Sequence, residues 1–177
     1  MVTVLTQQRP SPAQARAAEA GVLPAARRPW VLAAMVLGVF MTAVEVTIVA
    51  TAIPSIVADL GGFQLFSWLF SIYMLTQAAT VPLYGKLADL HGRKPVYTAG
   101  VLLFLAGTVL CGSARSMGWL IAARGLQGLG AAAVMPIALT VVGDIYTPSE
   151  RARIQGYISS TFGISSIIGP ALGGIVV

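Results

Sequence analysis

The sequence predicts an all-α integral membrane fold with five transmembrane helices, and three observations lead there. Hydrophobic residues make up 56% of the 177 positions, charged residues 10%, and mean hydropathy is +0.83. A soluble domain carries about a quarter charged residues, so too little polar surface is present to cover a core in water. The apolar residues also fall in runs near the ~20 positions that cross a hydrocarbon core. These runs are far longer than strands and lack sustained alternation. Finally, the net charge of +5 is held in short clusters beside the runs. No basic face is interleaved with aromatics, so the charge points to orientation in a lipid bilayer, with no nucleic-acid partner.

Residues 1–29 are rich in Ala, Pro, Gln and Arg without apolar periodicity, and are expected to form a disordered cytoplasmic tail. Arg27, Arg28 and Pro29 close it, and Trp30 opens the first span, 30–53. Basic residues followed by an aromatic suit a membrane interface. This span is too long for a signal-peptide core and no small-residue cleavage site follows, so it is expected to remain as an anchor. Further spans are expected at 66–84, 96–112, 119–142 and 154–177.

Topology follows from the basic residues. With the N-terminus inside, the inner segments hold nine of the eleven, the outer loops only Arg115, and Arg124 lies within a span. The expected location is therefore the inner (cytoplasmic) membrane, with a cytoplasmic N-terminus and five passes. Small residues recur at packing intervals: Gly100, Gly107 and Cys111, then Gly125, Gly128 and Ala132, then Ser165, Gly169 and Gly173. In lipid, such residues let helix backbones approach closely. Pro82, Pro136 and Pro170 sit inside spans, where each removes a backbone hydrogen bond and favours a bend. Cys111 is the single cysteine, lies in an apolar run, and is expected to be a small buried side chain without a disulfide.

Two ionisable residues lie well inside spans, Glu45 in the first and Arg124 in the fourth. A charge at the bilayer centre costs about 2.5 kcal/mol or more, so such residues face a partner or a wet cavity. Counting from Ile53 and Gly118 as outer ends, they lie ~12 and ~9 Å deep at ~1.5 Å per residue, so contact is possible if the helices are neighbours. Two readings stand: a static ion pair locking the first and fourth helices, or a proton carrier at Glu45 whose proton affinity answers to the approach of Arg124. Tyr73, Gln77 and Gln127 are candidates to line the same cavity, or simple interhelical hydrogen bonds. Enzyme signals are poor. The only histidine, His91, lies in a loop, which leaves no Ser–His or metal arrangement inside the membrane, and no strand precedes the Gly125–Gly130 glycines. No catalytic residue, metal or cofactor is expected.

Between the second and third spans runs Gly85-Lys-Leu-Ala-Asp89-Leu-His-Gly92-Arg93-Lys94. Gly92 is suited to positive φ at a tight turn, with Pro95 opening the next helix. Asp89 and Arg93 stand four apart, the spacing at which side chains meet on a helical turn.

This stretch resembles the loop signature of the major facilitator superfamily. Leu120-Ile-Ala-Ala-Arg124-Gly-Leu-Gln127-Gly128-Leu-Gly130 resembles that family's fourth-helix signature, and Ser165-x-x-x-Gly169-Pro170-x-x-Gly173-Gly174 its antiporter signature in the fifth. Pro148-Ser-Glu150-Arg151-Ala-Arg153 resembles the loop after the fourth helix. Glu45-Val-Thr-Ile-Val-Ala-Thr-Ala-Ile-Pro54 is similar to the first-helix segment of the fourteen-helix drug/proton antiporters, where the acid is usually aspartate.

The resemblance implies the N-terminal part of a superfamily helix bundle that exports small hydrophobic or cationic compounds, with a proton gradient as energy source. Glu45 and Arg124 would couple protons. Gly85, Asp89, Gly92, Arg93, Lys94, Glu150 and Arg151 would form an inner conformational latch. Ser165, Gly169, Pro170, Gly173 and Gly174 would shape the fifth helix where two halves meet. Members have twelve or fourteen helices in two rocking halves, so five spans lack the remaining helices that would be their partners. Transport by these residues alone is not expected. The alternatives are a non-transporting membrane fragment packed against a partner, and a uniporter or importer of the same fold.

Overall fold

The computed structural model describes residues 27–176; of the tail expected over 1–29, residues 1–26 lie outside the described residues. Among the described residues five α-helices follow one another: α1 (Arg28–Leu60), α2 (Phe66–His91), α3 (Arg93–Gly112), α4 (Met117–Ile145) and α5 (Pro148–Val176). A single 3₁₀ turn, Phe63–Leu65, precedes α2. Each helix overlaps its expected span, and all five are longer, α3 by its first turn from Arg93. An α-helix bonds its own backbone and need not stop at the edge of the hydrocarbon. Thus α1 begins at Arg28, inside the stretch expected to be tail, and runs through Pro54 to Leu60.

Among the described residues, α1, α3 and α4 are apolar and long enough to cross a membrane. Helices α2 and α5 are equally long but diluted by Ser, Thr, Gln and Gly. Their hydroxyls bond back onto their own backbones: Thr76 to Ile72, Thr80 to Thr76, Thr161 to Tyr157 and Ser166 to Gly163. A hydroxyl satisfied within its own helix is tolerated in lipid.

Helix α4 is the hub. It packs against α2, α3 and α1, while α5 packs on α1. What makes α4 central is its run of small residues, with Ala132, Ala133 and Ala138 fully buried. A Cβ at Gly128 would strike Thr76 and the Tyr73 carbonyl of α2, and one at Gly130 would strike the Phe104 backbone of α3. A Cβ at Gly107 of α3 would stand 2.7 Å from Gln127 Cα. The small-residue faces expected from the sequence are thus helix contacts. Cys111 is half-buried rather than enclosed, because α3 is the outer member of its pair.

The turns are set locally. Gly61 and Gly62 both take positive φ between α1 and α2. Gly92 does the same between α2 and α3, at φ +87°. Helix α3 opens at Arg93, two residues before Pro95, which therefore sits in the first turn.

Between α4 and α5, Glu150 reaches back to the Thr147 backbone N–H at 2.9 Å and the Thr147 hydroxyl at 2.9 Å. These bonds hold its carboxyl below the usual glutamate range. A depressed folded value means that the contribution to stability is complete above the unfolded value and is lost as pH falls through the folded one. Protection of the Thr147 amide, taken relative to its intrinsic exchange rate at each pH, should therefore fall as pH drops through that depressed value, and a Glu150→Ala variant should lack it at every pH. Equal protection of Thr147 at pH 7 in parent and variant would count against this cap.

Candidate proton-coupling site

Helix packing brings Glu45 of α1 and Arg124 of α4 into direct contact, and the two form an ion pair. Arg124 is 1% exposed and is the largest fully buried side chain among the described residues. Its Nε donates to the Leu69 carbonyl at 3.1 Å and its Nη1 to Gln127 Oε1 at 2.7 Å. Its guanidinium lies over the Tyr73 ring, 4.2 Å from the centroid. Gln127 in turn donates through Nε2 to Thr108 Oγ1 at 2.9 Å. One arginine thereby gathers α1, α2 and α4, and Gln127 extends the network to α3.

The polar balance is incomplete. Glu45 Oε2 and Arg124 Nη2 are buried without a hydrogen-bond partner. Glu45 borders a cavity of about 350 Å³ lined by Phe40, Val44, Ile48, Phe104, Thr108 and Gln127, among others. An acid between a fixed cation and an apolar cavity has two states available: ionised against Arg124, or neutral toward the cavity.

Gln127 joins this network and lines the cavity, whereas Tyr73, outside the cavity wall, meets Arg124 through its ring alone. Gln77 does neither: it lies one turn from Tyr73 on α2, half-buried, and is absent from both the network and the cavity wall. The α2 face that meets Arg124 is fixed by Leu69 and Tyr73. Cys111, which had no expected role here, lines the cavity and approaches Gln127 Oε1 at 3.7 Å.

The fifth-helix residues divide. A Cβ at Gly169 would strike Thr47, and one at Gly173 would lie 3.0 Å from Thr51 Cβ, so both positions admit α1 closely. Thr47, two residues from the acid, bonds back to the Val44 carbonyl at 2.7 Å, and its Oγ1 lies 3.2 Å from the Ser165 carbonyl. Gly174 meets nothing within 4 Å and Pro170 is exposed. The small face of α5 therefore packs on the helix that carries Glu45.

The expected charge cluster is redistributed. Asp89 and Arg93 do not meet on one helical turn, because Gly92 ends α2 and sends Arg93 into α3. Arg93 instead pairs with Asp144 and donates to the Thr140 carbonyl at 2.9 Å. Arg151 donates to the Tyr146 carbonyl at 2.9 Å and to that of Gly143. Both cations thus cap the negative end of α4. Glu150 is taken by Thr147, and Asp89, Gly85 and Lys94 are exposed. Asp144 was missed because spacing along one helix reveals only near neighbours; its position at the end of α4 opposite a basic loop was the available signal.

Residues 35–177 match the family model described as Major Facilitator Superfamily. A multidrug transporter protein, MdtP, of Bacillus subtilis is 44% identical over 151 residues, covering 85% of this chain and 28% of the relative. Multidrug resistance protein 3 of the same organism is 44% identical over 147 residues, 83% of this chain and 29% of the relative. The efflux pump dotC of Dothistroma septosporum is 35% identical over 144 residues, 81% and 25% respectively. The chain thus spans between a quarter and a third of the length of these relatives. With five packed helices, an embedded ion pair and this match, the chain is a multi-pass membrane protein belonging to the major facilitator superfamily.

Proposed function

We propose that these helices form the proton-handling part of an exporter of small hydrophobic or cationic compounds, working from the cytoplasmic side of the inner membrane and driven by proton entry. The observation that carries this reading is the Glu45–Arg124 pair, buried yet incompletely satisfied, at the wall of an apolar cavity. The printed names of the relatives, multidrug transporter and efflux pump, support the substrate class.

In this scheme a proton reaching Glu45 cancels its attraction to Arg124, and Gln127 and Leu69 retain the arginine in place. The neutral acid no longer anchors α1 to α4, so α1 and the α5 packed on it are freer to shift against the α2–α3–α4 unit. The Arg93–Asp144 pair at the other end of α4 is a second switchable contact and takes the latch role. Gly85, Asp89, Gly92 and Lys94 then shape or orient the loop that presents Arg93.

The test is proton-dependent dye efflux from cells expressing the full reading frame that contains these residues. Glu45→Gln should lower efflux at least tenfold and remove its dependence on the proton gradient, with the protein still present in the membrane. Undiminished gradient-driven efflux by this variant would make the pair a static helix clamp.

A further inference from the structure

We propose that the cavity between the first turns of α1 and α3 holds the phosphate headgroup of an anionic phospholipid. This inference rests on the chain crossing a bilayer and not on proton coupling, so failure of the Glu45 test leaves it standing.

The cavity measures about 660 Å³ and lies at the opposite end of α1 from Leu60. Its wall carries three cations, Arg27, Arg93 and Lys94, and one carboxylate, Asp144. Arg93 already holds Asp144. Arg27 and Lys94 have no carboxylate within ion-pair distance among the described residues. Among the described residues, two positive charges therefore face the cavity without a carboxylate, and the negative end of α4, which lines it through Val141, Asp144 and Ile145, is already met by Arg93. The N-caps of both helices, Arg27 and Gly92, make no side-chain cap bond, so the positive ends of α1 and α3 add to the same field.

The apolar part of the site distinguishes a lipid from a free anion. Trp30, 76% exposed, stands on the rim, and Tyr97 forms the inner wall, its hydroxyl donating to the Ala34 carbonyl at 3.1 Å. Tryptophan at a basic helix start is suited to the headgroup level. Ala34 of α1 and Thr98 of α3, both exposed, line the cavity, and the exposed Leu37 and Leu102 continue that surface along the two helices. From Trp30 to Phe40, where the second, apolar cavity begins, α1 rises ~15 Å, about half of the ~30 Å hydrocarbon core. A headgroup held by Arg27 and Lys94 would lay its acyl chains over one leaflet's depth of this surface. Basic pockets between helices near the bilayer surface bind anionic headgroups on this principle. A choline headgroup gains little, since the one carboxylate present is engaged by Arg93.

The test uses the full transporter containing this segment, purified, stripped of lipid and titrated in detergent. Native mass spectrometry counts bound dioleoyl phosphatidylglycerol, with dioleoyl phosphatidylcholine and inorganic phosphate as separate arms. Phosphatidylglycerol should bind about tenfold more tightly than phosphatidylcholine, given two unmatched cations near the surface. The Arg27→Gln/Lys94→Gln pair should abolish that preference, while Lys86→Gln, an exposed cation on α2, should keep it. Thermal unfolding in lipid-free detergent establishes that the double variant is folded; if it is not, the single variants, each expected to lose part of the preference, replace it. Equal binding of the two lipids, a preference unchanged in the folded variants, or displacement of phosphatidylglycerol by millimolar phosphate would each overturn the proposal.

Discussion

Arg124→Ala is expected to destabilise the bundle by about 3 kcal/mol or more, the scale seen when one partner of a buried ion pair is removed. The loss has three parts. Glu45 keeps its place near the cavity without a counter-charge. The Leu69 carbonyl and Gln127 Oε1 lose their donor, and the Tyr73 ring loses the guanidinium stacked on it. Lysine should not rescue the site, because a point charge cannot serve a carbonyl, an amide and a carboxylate in one plane while lying over a ring. The discriminating comparison is Arg124→Met combined with Glu45→Leu. With both charges gone, most of the lost thermal stability should return, since an apolar pair of similar volume leaves no uncompensated ion. Gradient-driven efflux should not return. Unfolding temperatures of the purified transporter in detergent measure the first effect and dye efflux the second. Should Arg124→Ala melt with the parent, the arginine is not holding these helices together.

This pair also shows how much was legible in the sequence. Lipid makes charge conspicuous, so Glu45 and Arg124 stood out, and counting helical rise placed them at similar depths. Rise gives depth but not azimuth, so the sequence left Gln77 and Tyr73 as equal candidates on α2; only the packing of α2 on α4 separates them. The same limit explains the loop. Gly92 was legible as a turn because positive φ favours glycine, yet that turn is what breaks the Asp89–Arg93 spacing. Arg93 changes helix, and its partner becomes Asp144, which local periodicity does not reach. Small residues told a similar story: the faces were readable as packing, but which neighbour each glycine admits was not. Gly128 admits α2 and Gly130 admits α3, although they are two residues apart on one helix.

Gly130→Ala is the second large effect expected. A methyl at this position would run into the Phe104 backbone nitrogen and come within 2.7 Å of both Phe104 Cα and the Gly100 carbonyl oxygen. All three atoms are backbone, so no side chain can rotate away, and α3 must separate from α4. Overpacking usually costs about 1–3 kcal/mol, and a helix pair whose attraction in lipid is close packing should fall at the upper end. The consequence reaches the site. Helix α3 carries Thr108, whose hydroxyl accepts from Gln127 at 2.9 Å, and Gly107, which rests on the Gln127 backbone. Displacing α3 therefore loosens Gln127, one of the two hydrogen-bond acceptors besides Glu45 that hold the guanidinium. Thermal stability and efflux should fall together. Gly156→Ala is the matched control: nothing lies within 4 Å of its added methyl, and alanine is the better helix former by about 1 kcal/mol, so this variant should be as stable as the parent or slightly more so. If Gly130→Ala and Gly156→Ala unfold at the same temperature, the α3–α4 seam is not closely packed at this level, and the support it gives Gln127 must come from elsewhere.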